Sequence, residues 1–310
     1  MNANVALDMT IVEAINWGND KLKENLKETE TLASPLLDSQ ILLAKTLGEP
    51  TSFLFAHFDD EIKNSDWEKF QKFIHRRIKA EPVAYIIGEK EFYKRTFLVN
   101  PHVLIPRPAT ETLIELAIQK SKEQTDDCWF ADIGTGSGAI AITLAAETGL
   151  PVIACDISSE ALTVAKTNAE KSGVTALIDF RQGDLLEPLI KIFQALKNKP
   201  QENSCNHLII CANLPYLNNN QWKTLDSGVR EFEPQLALIA GHDGLDLYWR
   251  LFRDLKKYRQ IFPSTISLLL EIDPDQVQKI TAMIGHDFSG TEPQVIKDLE
   301  GLDRVVMMGI

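Results

Sequence analysis

A chain of 310 residues with 44% hydrophobic side chains can bury a sizeable core, and the length fits two domains or one large α/β unit. A formal net charge of -12 and a pI near 5.0 argue against a phosphate backbone as the main partner, because non-specific nucleic-acid binding runs on cationic surface. The charge favours a protein or small-molecule partner and no stable nucleic-acid complex. Met1-Asn2-Ala3-Asn4 lacks the basic and apolar regions of a signal peptide, and no apolar run approaches the roughly 18 residues that span a bilayer, so neither secretion nor membrane insertion is expected. Cys128, Cys155, Cys205 and Cys211 form no C-x-x-C pair and mostly sit in or beside apolar runs. They read as core thiols of a cytoplasmic protein, with no metal site.

From the N-terminus, helices are expected at Ile11 to Leu26, with Val12, Ile15 and Leu22 on a helical spacing, and at Leu36 to Leu47, started by Ser34-Pro35 and ended by Gly48. A short segment around Phe53-Leu54-Phe55 and a helix from Asp66 to Ile78, with Phe70, Phe73 and Ile74 on one face, complete a small bundle. The run His75-Arg76-Arg77 suits the C-terminal end of that last helix, and could also meet a partner. Residues 1–80 are therefore read as a helical domain that recognises a substrate.

Residues 81–104 form a linker: Pro82 to Gly88, then Glu91-Phe92-Tyr93 and Thr96 to Val99 alternating like a hairpin. Leu104-Ile105-Pro106-Arg107-Pro108 follows, stiffened by its prolines, and Arg107 is a candidate wall of a cleft. A helix is expected over Glu111 to Ser121. Residues 105–310 then alternate. Strands are expected at Trp129 to Ile133, Val152 to Ile157, Ile178 to Gln182, His207 to Ala212, Ile266 to Ile272 and Arg304 to Met308. Helices are expected at 139–148, 158–172, 219–224, 244–261 and 274–285, which gives an α/β fold with a mostly parallel, doubly wound sheet. Lys191 to Asn206 reads as a surface loop.

Two stretches carry chemistry. Asp132-Ile133-Gly134-Thr135-Gly136-Ser137-Gly138 follows the first of these strands and opens a helix, where glycines let a ligand approach the backbone. Asp156, at the end of the second strand, stands where ribose hydroxyls would lie, although it could equally cap the helix at Ser158. Asp184, after Gly183 at the third strand's end, can meet an adenine amine or simply serve the turn. Thr135, Ile157 and Leu185 flank these positions in the same candidate cofactor site. The fourth strand ends in Asn213-Leu214-Pro215-Tyr216, whose Asn213 side-chain carbonyl and Leu214 backbone carbonyl can hold the two hydrogens of a planar NH2 while Tyr216 forms a flat wall. Such a stretch is also an ordinary strand-ending turn. The G-x-G-x-G spacing, the acidic residues and the Asn-Leu-Pro-Tyr ending together favour S-adenosylmethionine over NAD, and methyl transfer to an amide or an exocyclic base amine.

The chain resembles the protein-(glutamine-N5) methyltransferases that modify the Gly-Gly-Gln loop of bacterial class 1 peptide chain release factors. The resemblance covers nearly the whole chain. It rests on Glu81 to Gly88 with Glu91-Phe92, Leu104 to Pro108 with Thr110-Glu111, Asp132 to Ala141, Phe232-Glu233-Pro234-Gln235-Leu236-Ala237-Leu238 with Asp243-Gly244-Leu245, and the closing Asp303-Arg304-Val305-Val306 to Gly309. It implies a seven-stranded Rossmann-like class I methyltransferase domain behind a small all-α domain and a hairpin linker. It further implies S-adenosylmethionine as cofactor, held by Asp132, Gly134, Thr135, Gly136, Gly138, Asp156, Ile157, Asp184, Leu185 and Asn213. Asn213, Leu214, Pro215 and Tyr216 would be catalytic, and these four with Arg107 would bind a class 1 release factor. The expected enzyme is cytoplasmic and monomeric.

Leu214 stands where the family has a proline, but that position would act through its backbone carbonyl, which leucine retains. Asp273 stands where the family would have a glycine, and the loop before residue 207 is long. Asn-Leu-Pro-Tyr is also the form found in ribosomal RNA adenine dimethyltransferases. An RNA or DNA adenine-N6 methyltransferase is therefore one alternative, and a glutamine methyltransferase acting on a ribosomal protein is another.

Overall fold

The structure, a computed structural model, describes residues 9–25, 34–123, 128–198 and 205–310. Contacts divide the chain into two compact units, Met1–Glu89 with Thr224–Glu233, and Lys90–Lys223 with Pro234–Ile310.

In the first unit the helices are α1 (Ile11–Asn25), α2 (Pro35–Leu47), α3 (Thr51–Ala56), α4 (Asn64–Ile78) and the short α5 (Val83–Ile87). The expected end of α1 at Leu26 lies outside the described residues. Gly48 closes α2 in the left-handed region, its N–H donating to the Ala44 carbonyl, as a glycine past a helix end does. The core joins Ile11, Ala14, Ile15 and Leu22 of α1 to Leu42 and Leu43 of α2 and to Trp67, Phe70 and Ile74 of α4. Gly18 is what lets α1 lie so close, because a Cβ there would sit 2.4 Å from Ser39 Oγ and 2.8 Å from the Phe70 ring. Asp38 and Arg77 are both buried and pair at 2.8 Å, tying α2 to α4. Pro82 to Gly88 winds into α5, capped by left-handed Gly88.

The second unit begins one residue into a two-stranded hairpin, β1 (Glu89–Phe92) and β2 (Arg95–Leu98), joined by Tyr93 and Lys94, both at positive φ. Two such residues give the tight turn whose twist matches its strands. Then follow α6 (Thr110–Lys122), β3 (Cys128–Ile133), α7 (Ala139–Thr148), β4 (Val152–Asp156), α8 (Ser159–Lys171), β5 (Ile178–Gln182), α9 (Glu187–Lys197), β6 (His207–Ala212) and α10 (Asn219–Thr224). After α11 (Ser227–Phe232), which belongs to the first unit, come α12 (Asp246–Lys257), β7 (Thr265–Glu271), α13 (Val277–Asp287), β8 (Gln294–Lys297) and β9 (Asp303–Gly309).

The sheet is seven-stranded, in the order β5-β4-β3-β6-β7-β9-β8. The first five strands along that order run parallel, and β9 and β8 pair antiparallel at the far edge. Every residue of β6 is buried, as a central strand covered on both faces requires. One core face gathers Leu208, Ile210, Leu268, Leu270, Tyr248 and Phe252; the other gathers Phe130, Ile142, Leu144, Ile209, Cys211 and Leu269.

One expectation fails. The segment from Lys191 is not all loop: α9 runs to Lys197, because Leu189, Ile190 and Phe193 recur at helical spacing and pack on the core behind the lysines. Of the remainder, residues 199–204 lie outside the described ones. The seventh strand, β8, escaped the sequence reading because it is a short edge strand with little burial, leaving no period-two pattern to read. Among the described residues no helix is long and apolar enough to cross a membrane. None of the four cysteines is in a disulfide.

Candidate active site

Chain order puts β4 and β5 on one side of β3 and β6 on the other, so the direction of winding reverses between β3 and β6. Open α/β sheets bind ligands beyond the strand ends at such a reversal. The parallel pairing of Ile133 with Ala212 brings the two candidate stretches out side by side: the glycine loop leaves β3 and Asn213 leaves β6.

Gly134, Gly136 and Gly138 all have positive φ, at 78°, 55° and 82°. The N–H groups of Gly134 and Thr135 both donate to the Cys155 carbonyl, at 2.8 and 2.9 Å, which folds the loop back toward β4. A Cβ on Gly136 would meet nothing nearer than the Gly134 carbonyl at 4.0 Å, so open space lies over the backbone there. A Cβ on Gly138 would strike Ile142 at 2.8 Å and Ala165 at 3.2 Å. The first leaves room over the backbone, and the second is a packing requirement.

Asp156 spans this loop: Oδ2 accepts from the Gly136 N–H at 2.8 Å and Oδ1 from the Ser158 N–H at 2.9 Å. Burial raises its pKa, and the N–H groups of Ser158, Gly136 and Ile157 pull it back. Three of the roughly four lone-pair positions of the carboxylate are thus engaged, which leaves room for one further donor. Ile157 beside it is 51% exposed, an apolar face fit for a flat ring. Asp132 is placed differently. It is fully buried, and its Oδ2 accepts from Thr135 Oγ1 at 2.6 Å and from the Ala141 N–H at 3.1 Å, bracing the loop from below. Burial pushes its pKa up to about 7, against those two hydrogen bonds.

Asp184 pairs with Arg250 of α12. Leu185 after it holds φ at 48°, a left-handed conformation that costs a leucine about 1–2 kcal/mol, while its side chain is buried in the core. Asp184 is thus one half of an ion pair on a strained turn.

At the end of β6, Asn213 Nδ2 donates to Thr110 Oγ1 of α6 at 3.1 Å, which leaves the Asn213 side-chain carbonyl for another donor. Leu214 is buried, and its side chain would contact a Cβ placed on Gly134 at 3.3 Å, so it joins the two loops. The Leu214 N–H faces the Tyr248 hydroxyl, which itself donates to the Glu271 carbonyl. The Tyr216 carbonyl accepts from Gln276 Nε2 at 2.8 Å. Burial pushes the Tyr216 hydroxyl up to about 12, with Glu271 adding to the shift and Arg304 and Arg107 opposing it. Arg107 therefore stands within electrostatic reach of this corner.

The structure thus brings together Asn213, Leu214, Tyr216 and Arg107 at one corner, and Gly134, Thr135, Gly136, Asp156 and Ile157 at the neighbouring one. Sequence reading missed Thr110, Tyr248, Glu271 and Gln276. A carboxylate closing the apolar run Ser267-Leu268-Leu269-Leu270 was the available signal for Glu271, since such a run reads as a buried strand whose end faces the cleft.

Comparison with known proteins bears on the family and the fold. The family described as "PrmC N-terminal domain" matches residues 13–88, and that described as "Methyltransferase domain" matches residues 130–232. Proteins named release factor glutamine methyltransferase align along almost the whole chain: one from Bacillus cereus is 35% identical over 301 residues, covering 96% of this chain and 98% of that protein. One from Bacillus subtilis is 36% identical over 301 residues, covering 96% of each. Among solved structures, the hMettl16 catalytic domain in complex with a MAT2A 3'UTR hairpin superposes with a TM-score of 0.50 at 14% identity, over 67% of this chain and 71% of that one. That likeness is one of fold.

Proposed function

The chain belongs to the release factor glutamine methyltransferases, a family of S-adenosylmethionine-dependent enzymes, and from that premise we propose that it methylates the N5 side-chain amide of the glutamine in the Gly-Gly-Gln loop of class 1 peptide chain release factors. The observation that carries this reading is the emergence of Asn213 from β6 beside the glycine loop of β3, with its NH2 committed to Thr110 and its carbonyl left over. The unit matched by residues 13–88 would recognise the release factor, and the enzyme would work as a cytoplasmic monomer.

When bound, S-adenosylmethionine supplies a methyl group made electrophilic by the neighbouring sulfonium. The open space above Gly136 and the remaining lone pair of Asp156 fit its amino-acid and ribose portions, and Ile157 fits its adenine face. The Asp184 and Arg250 pair would meet the ring's polar edge.

An amide nitrogen is a poor nucleophile because its lone pair is delocalised. Accepting one hydrogen on Asn213 Oδ1 and the other on the Leu214 carbonyl turns that lone pair toward the donor, and Tyr216 packs against the amide plane. Pro215 fixes the backbone that aims both acceptors. Catalysis is then positioning and electrostatics, and the protein need only shed the amide proton late, to water.

The test is one incubation of the purified protein with S-adenosylmethionine and, separately, a class 1 release factor, a ribosomal protein fraction and unmodified ribosomal RNA, with the added methyl mapped by mass spectrometry. A single methyl on the glutamine of the Gly-Gly-Gln peptide is expected. Methylated adenine, or a modified ribosomal protein with an untouched release factor, would overturn the reading.

A further inference from the structure

Ala212 of β6 pairs with Leu270 of β7 in parallel register, so the next residues, Asn213 and Glu271, stand side by side at the sheet's C-terminal edge. Glu271 is 1% exposed, and its Oε2 has no hydrogen-bond partner. The side chains of Thr110 and Asn213 both face its carboxyl and pull its pKa down, as hydrogen-bond donors do. Thr110 Oγ1 already accepts from Asn213 Nδ2, and a hydroxyl carries one proton, so that proton is directed to the carboxylate. A buried acid has been brought to the one polar side chain on which the proposed alignment depends.

We propose that Glu271 is the positioning residue for Asn213: its carboxylate fixes the Thr110 hydroxyl and the Asn213 NH2, and so holds Asn213 Oδ1 toward the incoming amide. An asparagine side chain can present oxygen or nitrogen by a half-turn, and only the oxygen accepts a hydrogen from the substrate. The carboxylate, an acceptor only, selects the productive rotamer; the protonated acid is also a donor and loses that selection. This inference rests on the proposed role of Asn213 in holding the substrate amide.

The charge state is set by the groups that face Glu271. Arg304 of β9, itself paired with Asp298 at 3.0 Å, and Arg107 ahead of α6 favour the carboxylate. Tyr216 lies on the same corner with Asp273 beyond it, and Tyr248 of α12 binds the Glu271 backbone carbonyl. Burial outweighs the hydrogen bonds of Thr110 and Asn213 and both arginines and pushes the carboxyl up to about 7. The rate should therefore rise with pH through neutrality and level off once the carboxylate is formed.

Single-turnover rates at saturating S-adenosylmethionine, with a class 1 release factor as acceptor, from about pH 6 to about pH 9, test this in the wild type, Glu271→Gln, Thr110→Val and Asn213→Ala. Glu271→Gln should lower the rate about tenfold or more at high pH, change the acceptor KM less than about twofold, and lose the inflection near neutrality. Thr110→Val should fall in the same direction. Glu271→Gln at the wild-type rate, with Asn213→Ala inactive, overturns this inference and leaves the role of Asn213 standing; Asn213→Ala at the wild-type rate overturns that role instead. If circular dichroism shows Glu271→Gln unfolded, Thr110→Val and the wild-type profile decide, and a wild-type rate in the one with no inflection in the other sinks the proposal.

Discussion

Asp156 accepts a hydrogen bond from the backbone N–H of Gly136, 20 residues earlier, at 2.8 Å, and with its other oxygen holds the Ser158 N–H at the start of α8. One carboxylate therefore shapes the loop over β3 and closes the turn that leads into α8, whose N-cap is Ser158. Asp156→Ala should cost about 1–3 kcal/mol of stability through the lost loop and turn hydrogen bonds. It should weaken S-adenosylmethionine binding about tenfold or more, read by calorimetry. Unchanged affinity would reduce Asp156 to a brace for the loop.

The glycines separate cofactor binding from folding. Gly136→Ala places its methyl in open space, so stability should drop only by the roughly 1–2 kcal/mol of a left-handed alanine. The same methyl fills that space, and cofactor affinity should fall much further. Gly244→Ala does the reverse: a Cβ there would lie 2.1 Å from the Tyr216 carbonyl and displace the loop that Gln276 holds. Thermal unfolding should show a large loss for Gly244→Ala and a small one for Gly136→Ala. Equal melting shifts with equal cofactor affinities would contradict this division.

In the helical unit, Asp38 and Arg77 pair at 2.8 Å away from water. Burial raises the Asp38 pKa, and the Arg77 guanidinium opposes that rise. Arg77→Met leaves the acid buried without its partner and should cost about 3–5 kcal/mol, whereas Asp38→Leu combined with Arg77→Met should recover most of that loss. A double variant no more stable than Arg77→Met alone would mean that the pair's hydrogen bonds, rather than its charges, hold α2 to α4.

Much of this molecule can be read from the chain because the central strands are written as continuous apolar runs. Leu208-Ile209-Ile210 and the polar exit at Asn213 mark one side of the site in the sequence alone, and the glycines after Asp132 mark the other. What stays hidden depends on contacts between distant residues. Thr110 is an ordinary helix-start threonine until it meets Asn213, 103 residues later. Asp184 looks free for a ligand until Arg250, 66 residues on, pairs with it. The lysines of α9 suggest a loop because the periodicity of Leu189, Ile190 and Phe193 is interrupted by charge. Asp132 reads as a ligand-facing acid, yet the register with Cys211 on one side and Ala154 on the other buries it in the middle of the sheet.

That burial gives Asp132 a pH signature. Its carboxyl is pushed from 3.8 to about 7, so the folded chain holds this proton to a higher pH than the unfolded chain does. Because the folded pKa is the raised one, the stability from this group is full below about pH 4, falls as pH rises toward 7, and is then flat, losing about 1.4 kcal/mol per pH unit within the window. The protonated acid can also offer its hydrogen at the otherwise unpartnered Oδ1, while Oδ2 continues to accept from Thr135 and Ala141. Asp132→Asn keeps an accepting oxygen and cannot titrate. Urea unfolding of both proteins at about pH 5 and about pH 7.5 should therefore show the variant gaining on the wild type by a few kcal/mol at the higher pH. Parallel curves would mean that Asp132 is charged throughout, and that Thr135 and the Ala141 N–H hold the carboxylate more strongly than burial opposes it.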